Sequence, residues 1–262
     1  MTTAPVFHVD RAALTGAAQA GTGVRLDGPE GRHAALVRRL RPGERVDLTD
    51  GAGALARCTV RRAEGAALDL DMVDFVDVPA PEPRITVVQA LAKGDRGETA
   101  VETMTEVGVD AIVPWSAGRS VTEWHGDRGT RSLGKWRATA AEAAKQARRA
   151  WWAEVAEPHT TAEVAKLLTA ADLAIVLHES AETALTGLLA KDSLPGSPQP
   201  NDPPAREIVL VVGPEGGISP DELDRFAEAG AVRCRLGPTV LRTSTAGTVA
   251  AALLLAQVGR WS

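Results

Sequence analysis

The stretch VLVVGPEGGIS at residues 209–219 joins a run of apolar residues to the start of a helix through a loop with three glycines. The residues EIVLVV at 207–212 predict a strand that is buried on both faces. Ser219, Pro220 and Glu222 predict a capped helix from Ser219 to Ala229, which Gly230 ends. Ligands bind beyond the carboxyl ends of strands in open α/β sheets, and glycines there leave backbone N–H groups accessible. The stretch therefore predicts a ligand-binding loop or, as the alternative, a plain strand-to-helix turn.

Two further strand ends favour the ligand-binding interpretation. Residues 232–236 predict a strand that enters the loop LGPTVLRTST at 236–245, and residues 172–177 predict one that ends in His178-Glu179-Ser180. We expect the three loops to converge on one ligand. The loop at 236–245 mixes apolar residues with hydroxyl groups and carries little charge, which suits an adenine held by backbone groups better than a triphosphate. The tetrapeptide GPEG of residues 213–216 also occurs at residues 28–31, in a segment interpreted as a turn, so this tetrapeptide alone does not indicate a ligand site.

From residue 84 onward, apolar strands alternate with helices, which predicts an α/β domain with a mostly parallel sheet over residues 84–262. Predicted strands cover 85–91, 111–113, 172–177, 207–212 and 232–236, and predicted helices cover 97–108, 135–150, 219–229 and 245–258. The last helix is apolar nearly all round and should be buried. Five prolines in residues 191–206 predict a mobile surface loop.

Residues 1–78 instead show short β-rich runs separated by glycine turns, which predicts a small β-barrel. The predicted strands are 6–9, 24–26, 45–49, 57–61 and 68–72, with one helical piece at 33–40. Residues 79–83, which hold three prolines with Ala80 and Glu82, are the predicted linker.

Composition excludes several classes of protein. The chain has 262 residues, 44% of them hydrophobic, which is ordinary for a globular protein. Its net charge of −5 gives no reason, by itself, to expect nucleic-acid binding. Two distant cysteines, Cys58 and Cys234, exclude a disulfide scaffold and a cysteine-rich zinc site, and the five histidines lack metal-ligand spacing, so we expect no metal. The apolar run at 246–258 is too short for a membrane span, and no signal peptide is visible, so we expect a cytoplasmic protein.

One familiar motif is rejected. The residues GAGALA at 51–56 fit the dinucleotide-binding pattern, but the residues that follow predict a strand rather than the required helix.

Taken together, GPEGGIS at 213–219 and LGPTVLRTSTA at 236–246 resemble the C-terminal signature of the SPOUT superfamily of RNA methyltransferases, and within it the RsmE-type enzymes. QALAKGDR at 89–96, TEVGV at 105–109 and EAAKQ at 142–146 with Arg149 resemble further segments of that family. In the N-terminal part, His33 with VRR at 37–39, PGE at 42–44 and DGAG at 50–53 resemble its PUA-like RNA-binding barrel.

The resemblance implies an S-adenosylmethionine-dependent enzyme that methylates N3 of a uridine in 16S ribosomal RNA of the small subunit. It also implies a deep trefoil knot and a homodimer. The cofactor pocket would be formed by the three loops, and its implied residues are Leu177, His178, Glu179, Gly213, Pro214, Glu215, Gly216, Gly217, Leu236, Gly237, Val240, Leu241, Arg242, Ser244 and Thr245. The chain departs from the family where Thr239 and Ser244 replace an arginine and a glutamate, and where Trp151-Trp152 replaces a common Val-Pro pair.

For catalysis, a positioned cation would favour the uridine anion, whose charge lies on O2 and O4. Arg242 in the last loop is the first candidate, followed by Arg149 and Lys93. Glu215 is a candidate to accept the proton or to orient another group, with a backbone or cofactor contact as the alternative.

RNA binding requires local rather than total positive charge. Residues 128–149 hold seven basic residues and one acid, and residues 24–62 hold nine arginines and five acids. The predicted RNA contacts are His33, Arg38, Arg39, Arg131, Lys135, Arg148 and Arg149. Two other functions stay open: a non-catalytic RNA-binding or ribosome-assembly factor with a degenerate SPOUT domain, and an unrelated α/β enzyme that binds another nucleotide at 213–217.

Overall fold

The computed structural model describes residues 4–189 and 206–261. Its chain divides into two compact units, Met1–Ala80 with Ala144–Trp152 and Pro81–Ala143 with Ala153–Ser262. Apart from Arg206, the predicted proline-rich loop at 191–206 lies outside the described residues. Among the described residues, none of the helices combines the length and the apolar character needed to cross a membrane.

The first unit is built on a five-stranded sheet in the order β1-β3-β4-β5-β2, in which β1 and β3 are parallel and the other pairs antiparallel. The strands are β1 (Val6–His8), β2 (Val24–Leu26), β3 (Arg45–Thr49), β4 (Ala54–Glu64) and β5 (Ala67–Asp77). Alternate residues such as Val46, Leu48 and Leu70 point into one shared core, as the period of two requires. This confirms the prediction of a small β-rich N-terminal fold.

Two helical features of the first unit differ from the prediction. Helix α1 (Arg11–Ala20) was not anticipated, and Leu14 is its one fully buried residue. The GPEG tetrapeptide, predicted as a turn, forms helix α2 (Gly28–Arg32), since Pro29 presets the helical φ and Glu30 suits the positive helix start. A π-helical turn at His33–Val37 continues it in place of the predicted helix at 33–40.

A late segment of the chain, Ala144–Trp152, completes the first unit. The amide of Gly53 donates to the carbonyl of Ala150 (3.0 Å), and the amide of Trp152 donates to the carbonyl of Gly51 (2.8 Å). The Trp151 indole donates to the carbonyl of Val78 (2.9 Å). The segment therefore adds backbone pairing and two large rings to the β3–β4 loop.

The second unit contains a seven-stranded sheet in which all pairs are parallel, in the order β12-β10-β11-β6-β7-β8, with β9 also pairing with β7. The strands are β6 (Arg84–Ala90), β7 (Ala111–Ser116), β8 (Glu154–Val155), β9 (His159–Thr160), β10 (Leu173–Leu177), β11 (Glu207–Val212) and β12 (Val232–Cys234). The prediction of an α/β fold with a parallel sheet is confirmed.

Helices cover both faces of this sheet, as parallel sheets require. They are α3 (Arg96–Val107), α4 (Gly126–Gln146), α5 (Thr161–Ala170), α6 (Leu185–Leu189), α7 (Pro220–Glu228) and α8 (Thr243–Gln257). In β11, Leu210 points into a core shared with α3, α4, α6 and α8, whereas Val209 and Val211 point into a second core with α5 and α7. Each fully buried side chain of this size contributes about 1.5–3 kcal/mol.

Most predicted elements of this unit are present, with shifted ends. Helix α4 begins nine residues before the predicted start and ends four residues before the predicted end. Helix α5 was not anticipated, although Thr160 and Glu163 form a reciprocal capping box at its start. Helix α8 buries one side fully, yet Val249 is 40% exposed, so the helix is not enclosed all round.

A buried ion pair fixes the end of the chain beyond α8. Arg260 donates to both carboxylate oxygens of Asp110, at 2.5 and 3.0 Å, and to the carbonyls of Gly108 and Pro83. Asp110 also accepts a hydrogen bond from the amide of Ile85 at the start of β6 (2.9 Å). Both charged side chains are largely buried, so the loss of either would leave the other charge buried without its partner.

We expect Arg260→Ala to lower the free energy of unfolding by about 3 kcal/mol, because it leaves the Asp110 carboxylate buried without its cation. Urea unfolding followed by circular dichroism measures the change. Arg233→Ala, which removes an exposed arginine from β12, is the matched control. Equal stability of the two variants would contradict the role given to the pair.

Candidate functional site

The three predicted loops meet around one cavity of about 610 Å³ in the second unit. This volume lies in the range of sites for small ligands. Thirteen of the predicted cofactor residues line it: Leu177, His178, Glu179, Gly213, Pro214, Glu215, Gly216, Gly217, Leu236, Gly237, Val240, Leu241 and Arg242. The other two, Ser244 and Thr245, lie in the first turn of α8 and do not line the cavity.

The strand order explains why the loops meet. Strand β10 pairs with β11 on one side and with β12 on the other, and all three run parallel. Their carboxyl ends therefore fall at the same edge of the sheet, where ligands of open α/β sheets bind.

A chain of buried hydrogen bonds ties the last loop to the glycine loop. The Thr243 hydroxyl donates to the carbonyl of Gly213 (2.8 Å) and accepts from the side-chain amide of Gln89 (2.9 Å). Gln89 is fully buried at the end of β6, and Thr243 is nearly so. The sequence analysis missed both residues, although a glutamine inside an apolar strand is a signal that it bonds to something specific.

The glycines of the 213–217 loop are required by close contacts. A Cβ on Gly213 would lie 2.7 Å from a side-chain carbon of Ile218, and one on Gly216 would lie 2.9 Å from the carbonyl oxygen of Arg119. Among the described residues, the amides of Gly216, Gly237 and Leu241 donate to no other protein group. Free backbone donors and apolar lining side chains together suit a flat heteroaromatic ligand such as an adenine.

Glu215 connects the glycine loop to the loop between β6 and α3. Its carboxylate accepts hydrogen bonds from Arg96 (2.8 Å) and from the amide of Lys93 (3.2 Å). Partial burial alone would raise the pKa of Glu215, but these bonds outweigh it and hold the pKa below its ordinary value. Glu215 is therefore ionised at neutral pH and neutralised by Arg96.

A second carboxylate, Glu222, anchors the neighbouring backbone. It accepts from the amide and hydroxyl of Ser219 in the predicted capping box, from the amide of Gly118 (2.8 Å) and from the hydroxyl of Thr161 (3.0 Å). Burial raises the pKa of Glu222, but the four hydrogen bonds outweigh that effect and lower it. One buried side chain therefore caps α7 and fixes the loop after β7.

Not all of the predicted catalytic residues lie at the cavity. Arg242 is exposed on the cavity lining, at the N-cap position of α8. Lys93 does not line that cavity; it lines a neighbouring groove with His125 and Arg128. Arg149 belongs to the first unit. Arg96 and Arg119 also line the cavity and were not among the predicted site residues.

The predicted RNA contacts fall in both units. His33, Arg38 and Arg39 are exposed on and after the π-helical turn, and Arg148 is exposed in the 144–152 segment. Arg39 and Arg148 have positive φ angles of 54° and 56°, which non-glycine residues rarely adopt. In the second unit, α4 carries exposed Arg131 and Lys135, and Lys135 forms an ion pair with Glu98 (2.8 Å).

The site offers hydrogen-bond donors and guanidinium groups. In the described part of the chain, no three His, Cys, Asp or Glu side chains are grouped to hold a metal ion. Cys234 is buried, and burial raises the pKa of its thiol to about 11, so it stays protonated at neutral pH. The arrangement can bind a small ligand and place a cation beside a second reactant.

Comparison with known proteins gives consistent results for both units. Residues 79–255 match the family model of the RNA methyltransferase domain, and residues 26–70 match that of the RNA methyltransferase PUA domain. Ribosomal RNA small subunit methyltransferase E of Mycobacterium bovis is 43% identical, over 98% of this chain and 94% of its own. The Bacillus subtilis protein of the same name is 27% identical over 84% of this chain and 85% of its own.

A solved structure has the same fold. The crystal structure of ribosomal RNA small subunit methyltransferase E from Neisseria gonorrhoeae, bound to S-adenosyl methionine, superposes with a TM-score of 0.78 at 23% identity. The match covers 97% of this chain and 98% of that one.

We expect Glu222→Gln to lower the free energy of unfolding by about 2 kcal/mol at pH 7, because a buried charged acceptor of four hydrogen bonds is lost. The folded pKa of Glu222 is lowered, so this stabilisation is complete above the unfolded value near 4.5 and disappears as the pH falls through the folded value. Urea unfolding at pH 7 and pH 4 checks both points. A difference between wild type and variant that stays constant with pH would contradict this role, and exposed Glu228→Gln on the same helix serves as control.

Proposed function

We propose that this chain, which belongs to the RsmE family of ribosomal RNA methyltransferases, methylates N3 of a uridine in the 16S ribosomal RNA of the small subunit. The donor is S-adenosylmethionine. The observation that carries the proposal is the convergence of three strand-end loops on one cavity with unused backbone amides. The family relationship over nearly the whole chain supports it.

The residues present fit this cofactor. Gly216 lets the glycine loop lie against the backbone of Arg119, where a Cβ would collide, and the free amides of Gly237 and Leu241 can bond to an adenine. Leu177, Leu236 and other apolar side chains supply the surface on which the base packs. When bound, S-adenosylmethionine supplies an electrophilic methyl group on a sulfonium.

The protein's part in the reaction is to position and polarise the uridine. N3 becomes a nucleophile when it loses its proton, and the resulting charge lies on O2 and O4, which a guanidinium stabilises. Arg242 is exposed on the cavity lining and supplies that cation. Glu215 is already bound by Arg96 and has a lowered pKa, so we assign it to holding the loop and assign the proton to solvent.

In this proposal the first unit binds the RNA. The sequence predicts limits of 1–78 for this domain. His33, Arg38, Arg39 and Arg148 supply exposed donors there, while Arg131 and Lys135 contribute from α4 and Arg149 remains a further predicted contact. Phosphate contacts of this kind give affinity, and the target base must be unpaired or flipped.

Three further parts of the proposal follow from the family resemblance. The protein forms a homodimer, to which the apolar outward face of α8 around Val249 contributes. The C-terminal segment is threaded as a trefoil knot. The enzyme works in the cytoplasm on the assembled small subunit or its RNA. The alternative of a non-catalytic assembly factor is not favoured, because the three loops surround an open cavity and the match to the Mycobacterium bovis enzyme covers 94% of that protein.

The proposal is tested by methyl transfer from S-adenosylmethionine to small-subunit RNA and to 30S particles that lack the modification, with the product base identified. We expect N3-methyluridine at one position and cofactor binding by calorimetry. Gly216→Trp should abolish binding, since its Cβ would lie 2.9 Å from the carbonyl oxygen of Arg119 and would force apart two loops that line the cavity. Methylation of another base, or binding that survives Gly216→Trp, would contradict the proposal.

We expect Arg242→Ala to retain cofactor affinity within about twofold and to lose about 100-fold in turnover, the usual cost of removing one donor to a developing oxyanion. Calorimetry and single-turnover methyl transfer measure the two effects. Exposed Arg225→Ala on α7 is the matched control. Full turnover by the Arg242 variant would remove this residue from catalysis.

A further inference from the structure

Arg119 lies directly against the glycine loop, although it comes from a distant part of the sequence. Its guanidinium donates to the carbonyl of Gly216 at 3.4 Å, and its side chain is exposed on the cavity lining. Its backbone is so close that a Cβ on Gly216 would lie 2.9 Å from its carbonyl oxygen and 3.2 Å from its Cβ. The glycine at 216 therefore sets the place of Arg119 at the cavity.

The backbone that carries Arg119 is firmly held. The amide of the preceding residue, Gly118, donates to the buried carboxylate of Glu222 (2.8 Å), and the amide of Ser120 donates to the carbonyl of Ala117 (3.0 Å). A side chain that starts from a fixed backbone loses less freedom when it binds a ligand. Arg119 is in this respect prepared for a contact in the cavity.

Of the four arginines that line the cavity, two are occupied. Arg96 forms an ion pair with Glu215, and Arg235 donates to the carbonyls of Ala181 and Glu182. Arg119 and Arg242 have no carboxylate within 4.0 Å among residues 4–189 and 206–261. In the described part of the chain, the cavity therefore offers two guanidinium groups without an ion pair: Arg119 from the loop after β7, held only by its long hydrogen bond to Gly216, and Arg242 from the loop before α8.

We propose that Arg119 contacts the uracil ring of the substrate at one of its two exocyclic oxygens, while Arg242 contacts the other. This inference rests on the proposed function. The two oxygens flank N3 and share the negative charge once the N3 proton has passed to solvent. Two guanidinium donors stabilise that anion better than one, since each charged hydrogen bond acts where charge develops. Arg119 is in this assignment a substrate-contacting residue, absent from the sequence-based candidates.

The test compares wild type, Arg119→Ala and Arg119→Lys, with Arg225→Ala as a control that removes an exposed arginine away from the cavity lining. Three quantities are measured: the S-adenosylmethionine dissociation constant, the salt dependence of RNA binding, and the single-turnover methylation rate at saturating substrates across pH. For Arg119→Ala we expect unchanged cofactor affinity and a rate about 100-fold lower. The rising limb of its pH–rate profile should move about one unit to higher pH, because the uridine anion is less stabilised. Arg119→Lys should recover part of the methylation rate and part of the shift in the pH–rate profile.

Other outcomes overturn the assignment. An unchanged rate at saturation with a salt slope reduced by about one identifies a phosphate contact instead. A weakened cofactor affinity, with a wild-type rate once the cofactor is saturating, identifies a role in supporting the glycine loop. A wild-type protein that neither binds the cofactor nor methylates RNA would overturn the proposed function and this inference together. An active wild type with an equally active Arg119→Ala would overturn the inference alone.

Discussion

The arrangement of the loops around the cavity depends most on the two hydrogen bonds of the Thr243 hydroxyl. This hydroxyl bonds at once to the carbonyl of Gly213 and to the amide of Gln89, and so joins the ends of β11 and β6 to the start of α8. Gln89 and Thr243 are buried or nearly so, and Gly213 is partly buried; an unpaired buried donor or acceptor is costly. The shape of the cavity is thus set by interactions beneath its surface, while its lining stays free for a ligand.

The electrostatics of the site follow from how its carboxylates are used. Glu215 is bound by Arg96, and Glu222 is buried among hydrogen-bond donors, so these two negative charges serve the scaffold, whereas Glu179 is exposed on the cavity lining. Among residues 4–189 and 206–261, the arginines at 119 and 242 have no carboxylate within ion-pair distance. Two such cations favour an electron-rich or anionic acceptor beside the cofactor.

The sequence predicted those parts of the fold that follow from local chemistry. The apolar run at 207–212 and the capping box of Ser219 and Glu222 specify a strand and a helix by themselves, and both formed as expected. Helix α1 and the helix at Gly28–Arg32 were missed because their burial depends on the sheet that they pack against. At the site, the glycine and arginine loops could be found from strand ends. Arg96, Arg119 and Thr243 could not, since their partners lie 30 to more than 100 residues away.

The return of residues 144–152 to the first unit has a consequence for how this protein is made. Trp151 and Trp152 pack against the β3–β4 loop, but the ribosome reaches them only after it has translated β6, β7 and α4. Domains generally fold in order during synthesis, N-terminal part first. Here the N-terminal fold can reach its finished form only after more than half of the polypeptide has been translated, and a fragment cut at residue 80 would lack the two indole rings that complete it.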